Sequence, residues 1–176
     1  VALMLVDGRA GVTPLDEHFA RIIRKSPTPV VLAVNKCEGR AGQEGLAQSY
    51  GMGLGDPIGI VESVARGVDM FDCVLPTRLA RHGTILTDAG RYNLTRSEFR
   101  TSDEPLDPDW PGSPAARWSK GYLRHLLQTK EPTAARIITL HNVAWLLRFM
   151  DQMADAISEG TFDSFRAGVH EVWSGR

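Results

Sequence analysis

Ala2-Leu3-Met4-Leu5-Val6-Asp7-Gly8 and Val30-Val31-Leu32-Ala33-Val34-Asn35 decide the fold class of this chain. Each is a short apolar run, rich in β-branched or aliphatic residues and ended by a polar residue, as suits a strand covered on both faces. Between them Thr13 reads as a helix N-cap, with Pro14 at the first helical position and Asp16 three residues after the cap. Leu15, Phe19, Ile22 and Ile23 recur at helical spacing and predict one buried stripe. Ser26-Pro27-Thr28-Pro29 stops that helix. Two such runs joined by a helix imply a right-handed crossover and a parallel sheet, hence an α/β class.

Farther along, Gly51, Gly53, Gly55 and Gly59 mark a glycine-rich passage. Asp56-Pro57 there predicts the start of a helix that Gly67 ends. Val68 to Leu75 reads as another strand, closed by Pro76. Thr84–Thr87 and Arg91–Leu94 flank Asp88-Ala89-Gly90 and predict a hairpin. Pro105, Pro108, Pro111 and Pro114 make the stretch from Asp103 irregular. Beyond it the pattern turns helical. Arg117 to Leu127 carries Tyr122, Leu123, Leu126 and Leu127 on one side, and a long helix runs from Pro132 past Ile157 to Gly160. A last helix, with Thr161 as its N-cap, contains Phe162, Phe165, Val169 and Val172.

Composition narrows the class further. The 176 residues are 43% hydrophobic and 23% charged, which excludes disorder, collagen and coiled coil as the main architecture. The longest apolar runs, Val30–Val34 and Val143–Leu147, are too short to span a membrane. The first residue is Val1 rather than Met, no basic leader is present and Asp7 interrupts the apolar run early, so no secretory leader is expected and the chain reads as starting within a longer frame. Cys37 and Cys73 are the only cysteines, which fits a reducing cytoplasm. Lys+Arg of 20 against Asp+Glu of 21 leaves a net charge of -1, so nucleic-acid binding must rest on a local patch. Arg66, Arg78, Arg81, Arg91, Arg96 and Arg100 give one such modest excess, which on charge alone reads as a solvated surface.

Two resemblances account for the chain. Asp7-Gly8-Arg9-Ala10-Gly11, the strand Val30–Val34 and Asn35-Lys36-Cys37-Glu38 together resemble the tandem-domain ribosome-assembly GTPases (Der/EngA). In that family Asn-Lys-x-Asp reads guanine, which implies nucleotide-binding roles for Asn35, Lys36 and Glu38, with Glu38 in place of the usual Asp. On its own the motif reads as a plain strand-to-loop exit. The phosphate-cradling Gly-x-x-x-x-Gly-Lys-Ser/Thr loop does not occur in the chain, so nucleotide hydrolysis is not expected.

The second resemblance covers residues 52–176. Met52 to Gly59, then Val64 to Arg78 with its string Asp69-Met70-Phe71-Asp72-Cys73-Val74-Leu75-Pro76-Thr77-Arg78, and Leu140-His141-Asn142 are similar to the C-terminal third of bacterial tRNA-guanine transglycosylases. That family exchanges guanine at the tRNA wobble position for a 7-deazaguanine, in queuosine biosynthesis, on a modified (β/α)8 barrel. The resemblance implies that Asp72 is the nucleophile at ribose C1′, in the manner of a retaining glycosidase. It implies that Gly53, Leu54, Gly55, Asp56, Pro57, Ile58 and Gly59, with Thr77, Arg78, Leu79, Ala80 and Arg81, contact RNA. Taken alone, Asp72 reads as a turn cap or a partner of Arg78, and Asp69 as a structural residue.

Family members bind a structural zinc through Cys-x-Cys-x-x-Cys and a later His. Here Trp110, Gly112 and Ala115 stand at the three cysteine positions, and His141 alone is retained. One imidazole cannot close a tetrahedral site, so no cofactor is expected, His141 is expected as a buried helix histidine, and the loop from Asp103 to Pro114 is expected to be loosened. Both families carry a Gly-Leu-Gly-Asp-Pro-Ile stretch, which suggests a fusion near residues 52–60. The organisation expected is therefore a β-α-β GTPase-like piece over residues 1–51, followed by the end of a TIM barrel with a helical C-terminal region over 52–176. The barrel's earlier strands have no counterpart here, so the isolated chain is expected to be inactive or impaired. Alternatives are a fragment that binds RNA or a partner, a homo-oligomer among them, and a guanine-nucleotide-binding fragment.

Overall fold

The computed structural model describes residues 2–7, 12–25, 30–35, 56–68, 71 and 73–174. The chain divides into two compact units, one formed by residues 1–72 and 166–176, the other by residues 73–165.

In the first unit, β1 (Ala2–Asp7) and β2 (Val30–Asn35) pair in parallel, with Asp7 opposite Asn35, and α1 (Pro14–Lys25) connects them. The start of α1 is a reciprocal cap. The Thr13 backbone N–H and hydroxyl both donate to Asp16 Oδ2, at 2.8 and 2.7 Å, while Asp16 N–H donates back to Thr13 Oγ1 at 3.2 Å. The expected burial of the α1 stripe is corrected, however. Leu15, Phe19 and Ile22 are 60%, 48% and 50% exposed, and the side chain of Ile23 lies outside the described residues. Helical spacing determines which residues share a face, and burial requires in addition a surface for that face to meet.

Helix α2 (Pro57–Val64) starts where the sequence places it. Asp56 Oδ1 accepts from Gly59 N–H at 2.7 Å and Pro57 occupies the first turn. It ends in a turn closed at Gly67, whose φ of 84° is one that glycine adopts without strain. The C-terminal part of this unit comes from α6 (Phe162–Trp173), whose Arg166 and His170 both reach Glu62 of α2.

The strand expected over Val68–Leu75 is corrected as well. Val68, Phe71, Cys73 and Val74 belong to no strand, and Leu75 begins α3 (Leu75–Arg81), with Pro76 in its first turn. A strand must place its backbone groups in a ladder with a neighbour. Here the Val74 carbonyl instead accepts from Arg78 N–H and from the Thr77 hydroxyl, both at 3.0 Å, and so belongs to the helix.

The second unit holds the larger core. β3 (Thr84–Thr87) and β4 (Gly90–Asn93) form the expected hairpin, β4 beginning one residue earlier than its sequence pattern indicates. A short 3₁₀ turn, Ser97–Phe99, precedes the proline-rich stretch. α4 (Lys120–Gln128) begins at the Ser119 cap, three residues later than expected, because Ser119 Oγ accepts from Tyr122 N–H. Leu123 of α4 is fully buried, whereas Tyr122 is 49% exposed, so the expected common side for those two is corrected. α5 (Pro132–Ser158) is the long helix that the sequence predicts, followed by Gly160 at a φ of 72°. Ala80, Ile85, Leu94, Leu106, Ala115, Leu123, Ile137 and Ile138 form one core, flanked by Tyr92, Phe99, Trp118, Leu126 and Leu127.

The class is thus mixed α/β, helices with small sheets. Among the described residues the strands make one parallel pair and one antiparallel pair, and neither closes into a barrel. No helix among them is long and apolar enough to cross a membrane.

Candidate functional site

The segments that carry the expected chemistry fall in different units. Asp56 to Gly59 lies in the first unit and Thr77 to Arg81 in the second. Asp72, the expected nucleophile, lies outside the described residues, as do Gly53, Leu54, Gly55, Lys36, Glu38 and Asp69. Asn35 ends β2, where its backbone faces Asp7 across the ladder.

On α2, Asp56 spends one carboxylate oxygen on the helix N-terminus, while Pro57 and Gly59 are buried and Ile58 is half-buried. On α3, the Thr77 hydroxyl donates to the Val74 carbonyl. Arg78 and Leu79 are half-buried, Ala80 is buried in the core, and Arg81 is exposed. Arg78 and Arg81 both lie in the last turn of α3, where cationic side chains complement the helix dipole. The same two guanidiniums can meet phosphate, since each offers a fixed fork of donors. Ala80 can contribute little to an RNA surface, because its methyl group is packed inside.

α3 is anchored by a residue that sequence reasoning missed. Asn142, on α5, is fully buried, and its side-chain Nδ2 donates to the carbonyls of Pro76 and Thr84 at 3.1 and 3.0 Å. Its Oδ1 accepts from Leu86 N–H at 3.0 Å. One amide thereby ties the start of α3 and strand β3 to α5, with every strong bond satisfied. The sequence signals were its place in the string Leu140-His141-Asn142 and a polar residue inside an apolar helical stretch, and neither names its partners.

Its neighbour His141 centres a second constellation, and here the structure brings the expected residues together. The imidazole is fully buried. Nε2 lies 2.8 Å from the Leu86 carbonyl, and Nδ1 lies 2.7 Å from Ser113 Oγ. A carbonyl only accepts, so Nε2 carries the proton and Nδ1 accepts from the Ser113 hydroxyl. Ser113 Oγ in turn accepts from Ala115 N–H at 3.1 Å. Burial pushes the His141 pKa below its ordinary value, which keeps the ring neutral. The Trp110 ring packs against it with centroids 5.5 Å apart, and Ala115 is buried beside Ser113. Asp107, also buried, has its pKa raised from the ordinary value by desolvation, although its Oδ1 accepts from Asp109 N–H.

These residues do not fit a zinc ion. An indole, a hydrogen and a methyl group stand where the resemblance places three thiolates, and both imidazole nitrogens already have partners. Among the described residues no group of three or more His, Cys, Asp or Glu could hold a metal.

Residues 44–174 match the family model described as "TGT: Queuine tRNA-ribosyltransferase". Similar proteins include the queuine tRNA-ribosyltransferase of Herpetosiphon aurantiacus, 46% identical over 116 residues, which are 66% of this chain and 30% of that protein. The corresponding protein of Solidesulfovibrio magneticus is 44% identical over 124 residues, 70% of this chain and 33% of its own length. That of Caulobacter vibrioides is 48% identical over 118 residues, 66% of this chain and 32% of its own length. The chain spans about a third of the length of the curated relatives it matches.

Proposed function

The chain belongs to the queuine tRNA-ribosyltransferase family, and from that membership we propose that it carries the nucleophile-bearing part of a tRNA base exchange. In this reading the Asp72 carboxylate attacks ribose C1′ of the wobble nucleotide, the bond to guanine breaks, and a 7-deazaguanine then displaces the carboxylate. Arg78 and Arg81, on the helix that follows, meet the tRNA backbone, and the Gly53–Gly59 segment lets that backbone approach closely. Such chemistry belongs in the cytoplasm. What carries the proposal is the match over residues 44–174, which includes the whole Asp69–Arg78 string.

The chain alone is incomplete for this reaction. A nucleophile needs a second face of the pocket to orient the base, and a third of a relative's length does not supply it. Two assays test the proposal. Exchange of labelled guanine into a suitable tRNA is expected to be absent with the chain alone. It is expected to appear when residues 52–176 replace the matching third of an intact relative, and to vanish there in Asp72→Ala. Activity of the chimera that survives Asp72→Ala removes Asp72 as nucleophile.

A second reading, binding rather than catalysis, draws on α5. Leu140, Val143, Leu147, Met150, Ala154 and Ile157 follow the spacing of a two-helix seam, and Leu140, Leu147 and Ile157 are 51%, 62% and 51% exposed. We propose a second copy of the chain as the occupant. Sedimentation that finds only monomer at tens of micromolar (about the range for a modest interface) sinks this reading. For the residues that precede the match over 44–174 we propose descent from the ribosome-assembly GTPases through a fusion. The parallel β1-α1-β2 unit with Asp7 and Asn35 at neighbouring strand ends supports it. Failure to bind guanine nucleotide at about millimolar concentration removes any residual nucleotide role.

A further inference from the structure

The three replaced cysteine positions fit one another. Gly112 and Trp110 are the clearest pair, since a Cβ built on Gly112 would lie 3.2 Å from the Trp110 indole nitrogen. The glycine makes room for the ring. Trp110 packs against His141, and the Arg148 guanidinium lies 4.4 Å from its ring centroid. Arg148 Nη2 reaches both oxygens of Asp88 at 2.7 and 2.8 Å, and Trp145 Nε1 donates to Asp88 Oδ1 at 2.9 Å. Asp88 sits in the turn between β3 and β4, so this chain of contacts runs from the proline-rich loop through α5 to the hairpin. Ser113 and His141 add a second, polar route from the same loop through α5 to Leu86 of β3. Ala115 completes the set by joining the core.

We propose that residues 103–119 are held by a metal-free staple, in which Trp110, Ser113 and Ala115 close over His141 and do the work of a bound zinc ion. A metal site gains its order from four donors on one centre. The staple gains it from a half-buried indole packed on His141, two hydrogen bonds of a neutral imidazole and a cation over that indole. The consequence reverses the expectation of a loosened loop. The segment keeps its order without metal, and its order depends on side chains that no zinc-bound loop would use. The inference concerns folding and stands whether or not Asp72 is a nucleophile.

The full chain, grown with added zinc, tests it by metal analysis and by amide hydrogen exchange over residues 105–119. Zinc well below one per chain is expected, and exchange in this segment is expected to be the same with and without EDTA. Trp110→Ala is expected to speed exchange there about tenfold or more, through loss of the ring's contacts. Ser113→Ala removes a single hydroxyl, is expected to keep the fold, and should give a smaller increase confined to the same amides. Stoichiometric zinc, protection lost on adding EDTA, or unchanged exchange in both variants would overturn the proposal.

Discussion

Helices α1 and α4 are both short and amphipathic, yet their apolar stripes meet opposite fates. In α1, Leu15, Phe19 and Ile22 remain about half exposed or more, while Leu123 of α4 is completely buried. Local sequence does not separate the two cases, since both helices have a capped start and apolar residues at helical spacing. Their surroundings separate them. α4 packs against α5 and the 3₁₀ turn, and Arg124 binds the carbonyls of Thr95 and Arg96 just after the hairpin. Among the described residues α1 joins a sheet of two strands. Amphipathicity states a demand for burial, and the tertiary partners decide whether it is met.

The comparison can be broken by mutation. Leu123→Ala should give the largest effect, a loss of about 3 kcal/mol in urea unfolding, because a fully buried leucine leaves a cavity in a closed core. Asn142→Ala should follow at roughly 2–3 kcal/mol, since it removes three bonds at once and leaves the Thr84 carbonyl and the Leu86 N–H without their side-chain partner, while the Pro76 carbonyl keeps its place in the helix. A normal urea midpoint for that variant would show that water replaces all three bonds.

The first unit should answer to pH instead. Hydrogen bonds from Arg166, and further ones from His170 and Arg66, hold the Glu62 carboxyl at about 2, against the opposing cost of its burial. A carboxyl held below its ordinary value of 4.5 adds stability that is complete above that pH and is lost as pH falls toward 2. Solvent screens these partly exposed partners, so the effect should amount to about 1 kcal/mol. An acid titration comparing the parent with Glu62→Gln should show the parent's advantage shrinking between those two values. An advantage that persists at pH 2 would mean that packing, not charge, links α2 to α6. Phe19→Ala should be the mildest change, within about 0.5 kcal/mol, as for an exposed side chain. A loss of several kcal/mol there would mean that the α1 stripe is covered, and the contrast with α4 would disappear.

Much of the architecture was legible from local rules. Thr13 with Asp16, Asp56 with Pro57, the glycine turns at Gly67 and Gly160, and the two-residue turn at Asp88-Ala89 are short-range features, and each stands close to its expected place. The strand expected at Val68–Leu75 was not legible, because an apolar run with a following proline suits a strand end and a helix start equally. The site divides in the same way. His141, Trp110, Gly112 and Ala115 could be picked out by spacing against a family pattern. The bonds made by Ser113, Asn142, Arg148 and Asp88 could not, since their partners lie tens of residues away in the chain.

By itself the amino-acid order determined the α/β class, most of the succession of elements and the family, because helix caps, turns and motif strings act over a few neighbouring residues. Only the tertiary structure decided which apolar faces are covered, that Asn142 anchors the start of α3, and that an indole and a serine hydroxyl meet the buried imidazole of His141. Those outcomes depend on distant groups meeting at van der Waals and hydrogen-bond range, and their energies arise only once the chain has folded.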